Sequence, residues 1–196
     1  MQIQNNYDYI IIGAGCAGLS LAYRLLKKEC TVCILESQTT INHTNKLWSF
    51  WDTYKTPFSH LVKKKWNKLL IKNNKKKIEI NCENYTYQSI DSHDFNNYIL
   101  EKIYNSNNID IKFSSEVKSI TKKNKKVSLF TNSNSFSCKH VFDSRPNIKN
   151  TSMWQQFFGA YVISEENIFN IDCPTFMDFS NNSDKFHFNY ILPFSA

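Results

Sequence analysis

The chain has 196 residues, 41% of them hydrophobic, and a formal net charge of +7, which gives room for one full domain and part of another. Of its 24 basic side chains only Arg24 and Arg145 are arginines, so the positive balance reads as a coding bias toward Lys, Asn and Ile and argues against a nucleic-acid reader. No basic leader precedes the short apolar run at residues 10–12, so a cytoplasmic protein starting at Met1, with six reduced cysteines, is expected.

Residues 7–12 read as a buried strand ending at Gly13. Residues 17–28 read as a helix, with Leu19, Ala22, Tyr23 and Leu26 at helical spacing and lysines at its end. A second strand at 31–35 is closed by Glu36, and the whole is a parallel βαβ crossover. Residues 37–60 are irregular and polar around an aromatic knot, Trp48-Ser49-Phe50-Trp51. Between 66 and 80 two lysine-decorated strands flank a turn at Asn73-Asn74. Asp91 can cap a helix running to about residue 104, with Phe95, Tyr98, Ile99 and Ile103 on one face. A strand at 109–113 and a β-meander of 116–121, 127–131 and 136–142 follow. Past Pro146 come aromatic strands at 157–163, 175–179 and 185–192, which place a domain change near residue 150. In the last of these Phe186, Phe188, Tyr190 and Leu192 alternate, making one face almost wholly aromatic.

Gly13-Ala14-Gly15-Cys16-Ala17-Gly18 is a G-x-G-x-x-G between a strand and a helix. Gly13 permits the tight turn, Gly15 lets backbone approach a pyrophosphate, and Gly18 lets the helix pack on the strand. The helix start adds N–H groups and a positive dipole end. Three of the four glycines in the chain sit in this loop. Glu36, at the end of the second strand, is placed to accept both ribose hydroxyls and to repel a 2′-phosphate, so NADP does not suit this pocket.

Other motifs carry less. Cys30 and Cys33 form a C-x-x-C that leads into a strand, where residues three apart point to opposite faces, so the pair suits neither a metal nor a disulfide. Cys16 lies near a helix N-terminus, which lowers a thiol pKa, but at a variable position of the fingerprint. The five histidines are scattered and take no role, and no metal site is expected. The lysine-rich stretch 63–77, with Trp66, Leu69 and Leu70, reads either as a solvated hairpin or as a patch resting on anionic headgroups.

Several of these segments together resemble bacterial lycopene β-cyclases. They are Asp8-Tyr9-Ile10-Ile11-Ile12 with the glycines, Asn42-His43-Thr44 with Trp48-Ser49-Phe50-Trp51, Phe142-Asp143-Ser144-Arg145 and Gln155-Gln156-Phe157-Phe158-Gly159. Phe176-Met177-Asp178-Phe179 and Tyr190-Ile191-Leu192-Pro193-Phe194-Ser195 complete the set, in family order over the entire chain. The resemblance implies an α/β protein with a Rossmann-like, FAD-binding ββα domain over 1–150, carrying the meander and an insertion at about 37–90, and the start of a β-rich substrate domain over 151–196. It implies redox-neutral closure of the ends of lycopene, or another acyclic carotenoid, into β-rings. It also implies a requirement for reduced FAD, with NAD(P)H as the reductant. Gly13, Gly15, Gly18 and Glu36 would hold the ADP half, with the Val117 backbone on adenine by analogy with related flavoproteins. The family's acid is a glutamate a few residues beyond Leu-Pro-Phe-Ser, past Ala196, which leaves Asp178 and Asp143 as in-chain alternatives. On this reading the chain is the N-terminal half of a cyclase, inactive alone, and its full form is peripheral on the inner membrane face, where its substrate dissolves. Rival readings are another FAD-dependent oxidoreductase of the same fold, such as a monooxygenase or prenyl reductase, or a non-catalytic nucleotide-binding remnant.

Overall fold

The computed structural model describes residues 5–41, 45–124, 126–146, 153, 155–181 and 186–195; the Asn42-His43-Thr44 segment and the expected strand start at Lys185 lie outside them. Strand β1 (Asn6–Ile12) leads through the glycine turn into helix α1 (Cys16–Leu25) and strand β2 (Val32–Leu35). Strands β3 (Leu47–Trp51), β4 (Val62–Trp66), β5 (Lys68–Lys72), β6 (Lys77–Asn81) and β7 (Tyr87–Asp91) precede helix α2 (Ser92–Tyr104). Strands β8 (Ile109–Lys112), β9 (Val117–Lys123), β10 (Lys126–Thr131), β11 (Ser135–Asp143), β12 (Thr175–Asp178) and β13 (Asn189–Ile191) follow.

The elements divide into two units, the first being Met1–Lys46 with Ser92–Met153. Its six-stranded sheet has the order β8-β2-β1-β11-β10-β9. The first four strands are parallel, with Ile10 level with Cys33 on one side and Val141 on the other, and the last three form the antiparallel meander. Alternation along the parallel strands sorts the core. Ile10, Ile12, Cys33 and Leu35 pack with Val117, Val127, Leu129, Phe136 and Cys138 of the meander. On the opposite face α1 lies so close to β1 that a Cβ at Gly18 would sit 3.2 Å from the Ile11 side chain. This is a ββα layering. Helix α1 stops three residues short of the expected end. The Asn108 amide donates to the carbonyls of Leu25, Lys28 and Cys30 at 3.1–3.2 Å, satisfying acceptors at and just beyond the helix end.

The second unit is Leu47–Asp91 with Trp154–Ala196. The stretch expected as an insertion in the first domain therefore belongs with the C-terminal segment, because β5 pairs in parallel with β12, Leu70 level with Thr175. Its sheets are β3-β7-β4 and β13-β12-β5-β6. The aromatic knot is strand β3, paired along its length with β7 from Leu47–Asp91 to Trp51–Tyr87. Trp66, Leu69 and Tyr87 form the core, with Phe176, Tyr190, Leu192 and Phe194 packed on it. No strand forms at 157–163: the segment is outside any ladder, and Phe158 and Ile163 are exposed. Strand propensity without a partner leaves the backbone unpaired.

Candidate functional site

The glycine turn is built by three separate constraints. Gly13 has φ +94°, where a side chain is strained, and a Cβ there would come within 2.7 Å of Ser144 Oγ. That hydroxyl donates to the Ile12 carbonyl at 2.6 Å, and the Gly13 N–H donates to the Leu35 carbonyl at 2.9 Å, so the turn is pinned to the ends of both β11 and β2. A Cβ on Gly18 would overlap the Gly13 carbonyl oxygen. Gly15 differs: a Cβ on it would meet nothing within 4 Å, so the space above it is open. No side chain caps the N-terminus of α1, whose first-turn N–H groups need acceptors from elsewhere. Such a helix start suits an anionic group.

Glu36 closes the same edge of the sheet. Its Oε2 accepts the Ala14 N–H at 2.7 Å and its Oε1 accepts the Gln38 N–H at 2.9 Å and the Ser37 hydroxyl at 3.1 Å. Its backbone carbonyl accepts the Ser115 N–H at 2.8 Å, two residues before Val117 opens β9. Gly13, Gly15, Gly18 and Glu36 thus come together as the sequence expects. The Val117 carbonyl is already engaged, accepting Arg145 Nη1 at 3.0 Å. The Arg145 guanidinium forks onto Asp143, Nε to Oδ1 at 2.8 Å and Nη2 to Oδ2 at 2.7 Å.

That fork bears on one expectation. The hydrogen bonds from Arg145 hold the Asp143 carboxyl below its ordinary range, the direction that disfavours a proton donor. Asp178 meets the same objection. Burial pushes its pKa up, but hydrogen bonds from the Ser180 side chain and backbone and from Lys72, whose Nζ is 3.1 Å away, outweigh that and hold it down. Cys16 departs the other way: burial raises its thiol despite the helix start beside it. Sequence reasoning gave Arg145 no role beyond its place in the Phe142-Asp143-Ser144-Arg145 segment, although its rarity in a lysine-rich chain sets it apart.

The second unit carries an aromatic box. Trp51, Tyr87, Phe176 and Tyr190 form a chain of ring contacts with centroids 5.1–5.9 Å apart, the first tilted and the other two edge to face, and Phe194 meets Trp66 at 5.6 Å. Two hydroxyl pairs lie in it, Tyr87–Tyr190 and Ser49–Ser89, each at 2.6 Å. Phe186 and Phe188 do not join their expected face-mates Tyr190 and Leu192; they cluster instead with Phe179. On β7 the Gln88 side chain is buried, and neither end of its amide finds a hydrogen-bond partner among the described residues.

A glycine cradle and a strand-end acid on a ββα sheet define an α/β protein with the fold of dinucleotide-binding domains. The family model "Lycopene cyclase protein" matches residues 8–196, and the chain belongs to that family. No curated protein matches it. Among solved structures it is similar to p-nitrophenol 4-monooxygenase PnpA from Pseudomonas putida DLL-E4, with TM-score 0.57, 15% identity, and coverage of 71% of this chain and 41% of that one. The unusual amino acid oxidase NikD gives TM-score 0.55 and 12% identity, over 72% of this chain and 51% of that one. CtdE in complex with FAD and a substrate gives TM-score 0.57 and 18% identity, over 71% of this chain and 37% of that one. The chain thus spans about half or less of the length of these proteins, and the likeness is one of fold.

Proposed function

We propose that this chain is part of an FAD-dependent lycopene β-cyclase, holding the ADP half of the cofactor and part of the chamber in which a carotenoid end is closed. The observation that carries the reading is the glycine cradle, open only above Gly15 and tied to Glu36, in a chain of this family. CtdE, with the same fold, binds FAD. The residues present fit that group. The uncapped start of α1 and the open space at Gly15 take the diphosphate, and Glu36 takes the ribose. FAD held by these residues, and reduced by a nicotinamide donor, would supply electron density that favours a cationic intermediate.

The chain's own part in the chemistry is to exclude water and to present ring faces. Alkene protonation leaves a tertiary cation, which a neighbouring double bond attacks before a proton is lost. Aromatic faces such as those of Trp51, Phe176 and Tyr190, which are not fully buried, would stabilise a desolvated cation by roughly 0.5–2 kcal/mol each. Asp143 and Asp178 are both held below the ordinary carboxylate range by their partners, which favours an acid other than these two. Because lycopene dissolves in bilayers, the protein works at a membrane surface, on the cytoplasmic side; no helix among the described residues is long and apolar enough to cross one. Lys63 and Lys65 are in ion pairs with Asp91 and Asp52 at 3.5 and 3.4 Å. The β5–β6 hairpin, with lysines at 75–77 beside half-exposed Ile78 and Ile80, is therefore the better-placed contact.

The test is expression, in cells that accumulate lycopene, of the gene that encodes this chain, with carotenoid analysis. γ- and β-carotene support the proposal. An oxygenated or saturated product instead assigns the protein to the monooxygenases or prenyl reductases that share its fold.

A further inference from the structure

We propose that Arg145 forms the adenine-facing wall of the dinucleotide crevice and stacks the plane of its guanidinium on the base. The inference rests on the FAD reading, and on no assumption about the substrate. Ligands of open α/β sheets bind where the connections from neighbouring strands diverge. Here β1 continues through α1 to β2 on one side and has β11 on the other, so the crevice opens between Gly13 and Asp143-Ser144-Arg145. Ser144 packs against Gly13 from below, and Arg145 is the next side chain along.

The guanidinium is immobilised in this position. Its Nε–Nη2 edge is taken by the Asp143 carboxylate and its Nη1 by the Val117 carbonyl, two residues from the backbone tie between Ser115 and Glu36. Pairing with Asp143 cancels most of its charge, which makes it a weak attractor for a diphosphate. What it still offers is a flat face, since the side chain is 46% exposed. A preorganised guanidinium plane stacks on aromatic rings, which an ammonium cannot do. In a chain whose 24 basic residues include only two arginines, a lysine would have served for charge alone.

ADP is the probe, titrated calorimetrically into the chain and into Arg145→Lys at low and high salt, with thermal unfolding in parallel. The substitution should weaken ADP roughly three- to thirtyfold, by the same factor at both salt concentrations. Unchanged ADP affinity in folded Arg145→Lys overturns the proposal. A loss confined to low salt also overturns it, because that marks a charge contact with the diphosphate. The unmodified chain gives a second test that needs no variant. UDP keeps the ribose and diphosphate but offers a smaller ring, so it should bind several-fold more weakly than ADP, and equal affinity overturns stacking. If the unmodified chain binds no ADP at all, the FAD reading falls together with this one.

Discussion

Ala14 donates its backbone N–H to Oε2 of Glu36 across 2.7 Å, so the carboxylate that would meet a ribose also fastens the glycine turn. Glu36→Ala removes both functions. A charge-assisted hydrogen bond is worth about 1.5–3 kcal/mol, so ADP and FAD affinity should fall on the order of tenfold to a hundredfold. Glu36→Gln, which keeps an acceptor at Ala14, should recover part of the loss. Calorimetry showing Glu36→Ala equal to the unmodified chain would remove the acid from the site.

The three glycines of the turn should separate stability from binding. Gly13→Ala and Gly18→Ala put a Cβ against Ser144 Oγ and the Gly13 carbonyl respectively, and each should lower the melting temperature, Gly13 by a strain of about 1–3 kcal/mol. Gly15→Ala meets no protein atom, so its melting temperature should match the unmodified chain while its ADP affinity drops. A destabilised Gly15→Ala would mean that the space above it is not a ligand's.

Acid sensitivity is expected where β1 and β2 begin. Hydrogen bonds from Lys139 and then from the Thr31 backbone and hydroxyl hold the Asp8 carboxyl down to about 2. A group depressed on folding adds stability that is complete above its unfolded pKa, near about 4, and is lost as pH falls through the folded value. Asp8→Asn should lower stability at neutral pH and flatten the stability curve between roughly pH 4 and 2. Urea midpoints measured across that range decide it; parallel curves for the two proteins would contradict the assignment.

How far the sequence could be read depended on where the deciding contacts lie. The βαβ unit and the meander were legible because their periodicity and turns are local. Strand β7, Tyr-Gln-Ser-Ile-Asp, is wholly buried yet half polar, and was not legible. Its Ser89 is satisfied by Ser49 of β3 and its Asp91 by Lys63 of β4, partners that only the fold supplies. The end of α1 was misplaced for the same reason, Asn108 lying about eighty residues from the carbonyls it caps. At the site, the glycines and Glu36 carry a known spacing, whereas Arg145 depends on Asp143 and Val117 meeting it from two strands.

Gln88 makes a prediction of the opposite sign. A buried amide with no partner costs about 1–3 kcal/mol, so Gln88→Met, of similar shape, should raise the melting temperature by roughly 2–10 °C. A fall on scanning calorimetry would show that the amide is paired in solution.

Membrane contact should be electrostatic with an apolar component. Co-sedimentation with liposomes should rise with anionic lipid and fall with salt, and replacing the lysines at 75–77 by glutamine should abolish most of it. Equal binding to neutral and anionic vesicles would assign the lysines to composition alone.

The parallel pairing of β5 with β12 has a consequence for biosynthesis. Leu70 finds Thr175 only after about a hundred further residues have left the ribosome, and β1 likewise waits for β11, which sits level with it from Asn6–Ser137 to Ile12–Asp143. Each unit is therefore interrupted by the other along the chain, and neither can close while the nascent polypeptide is short. During translation Trp66 and Leu69, buried in the finished protein, remain uncovered by Phe176, Tyr190 and Phe194. Such long-range order slows folding and leaves adhesive aromatic surface uncovered until the last strands emerge.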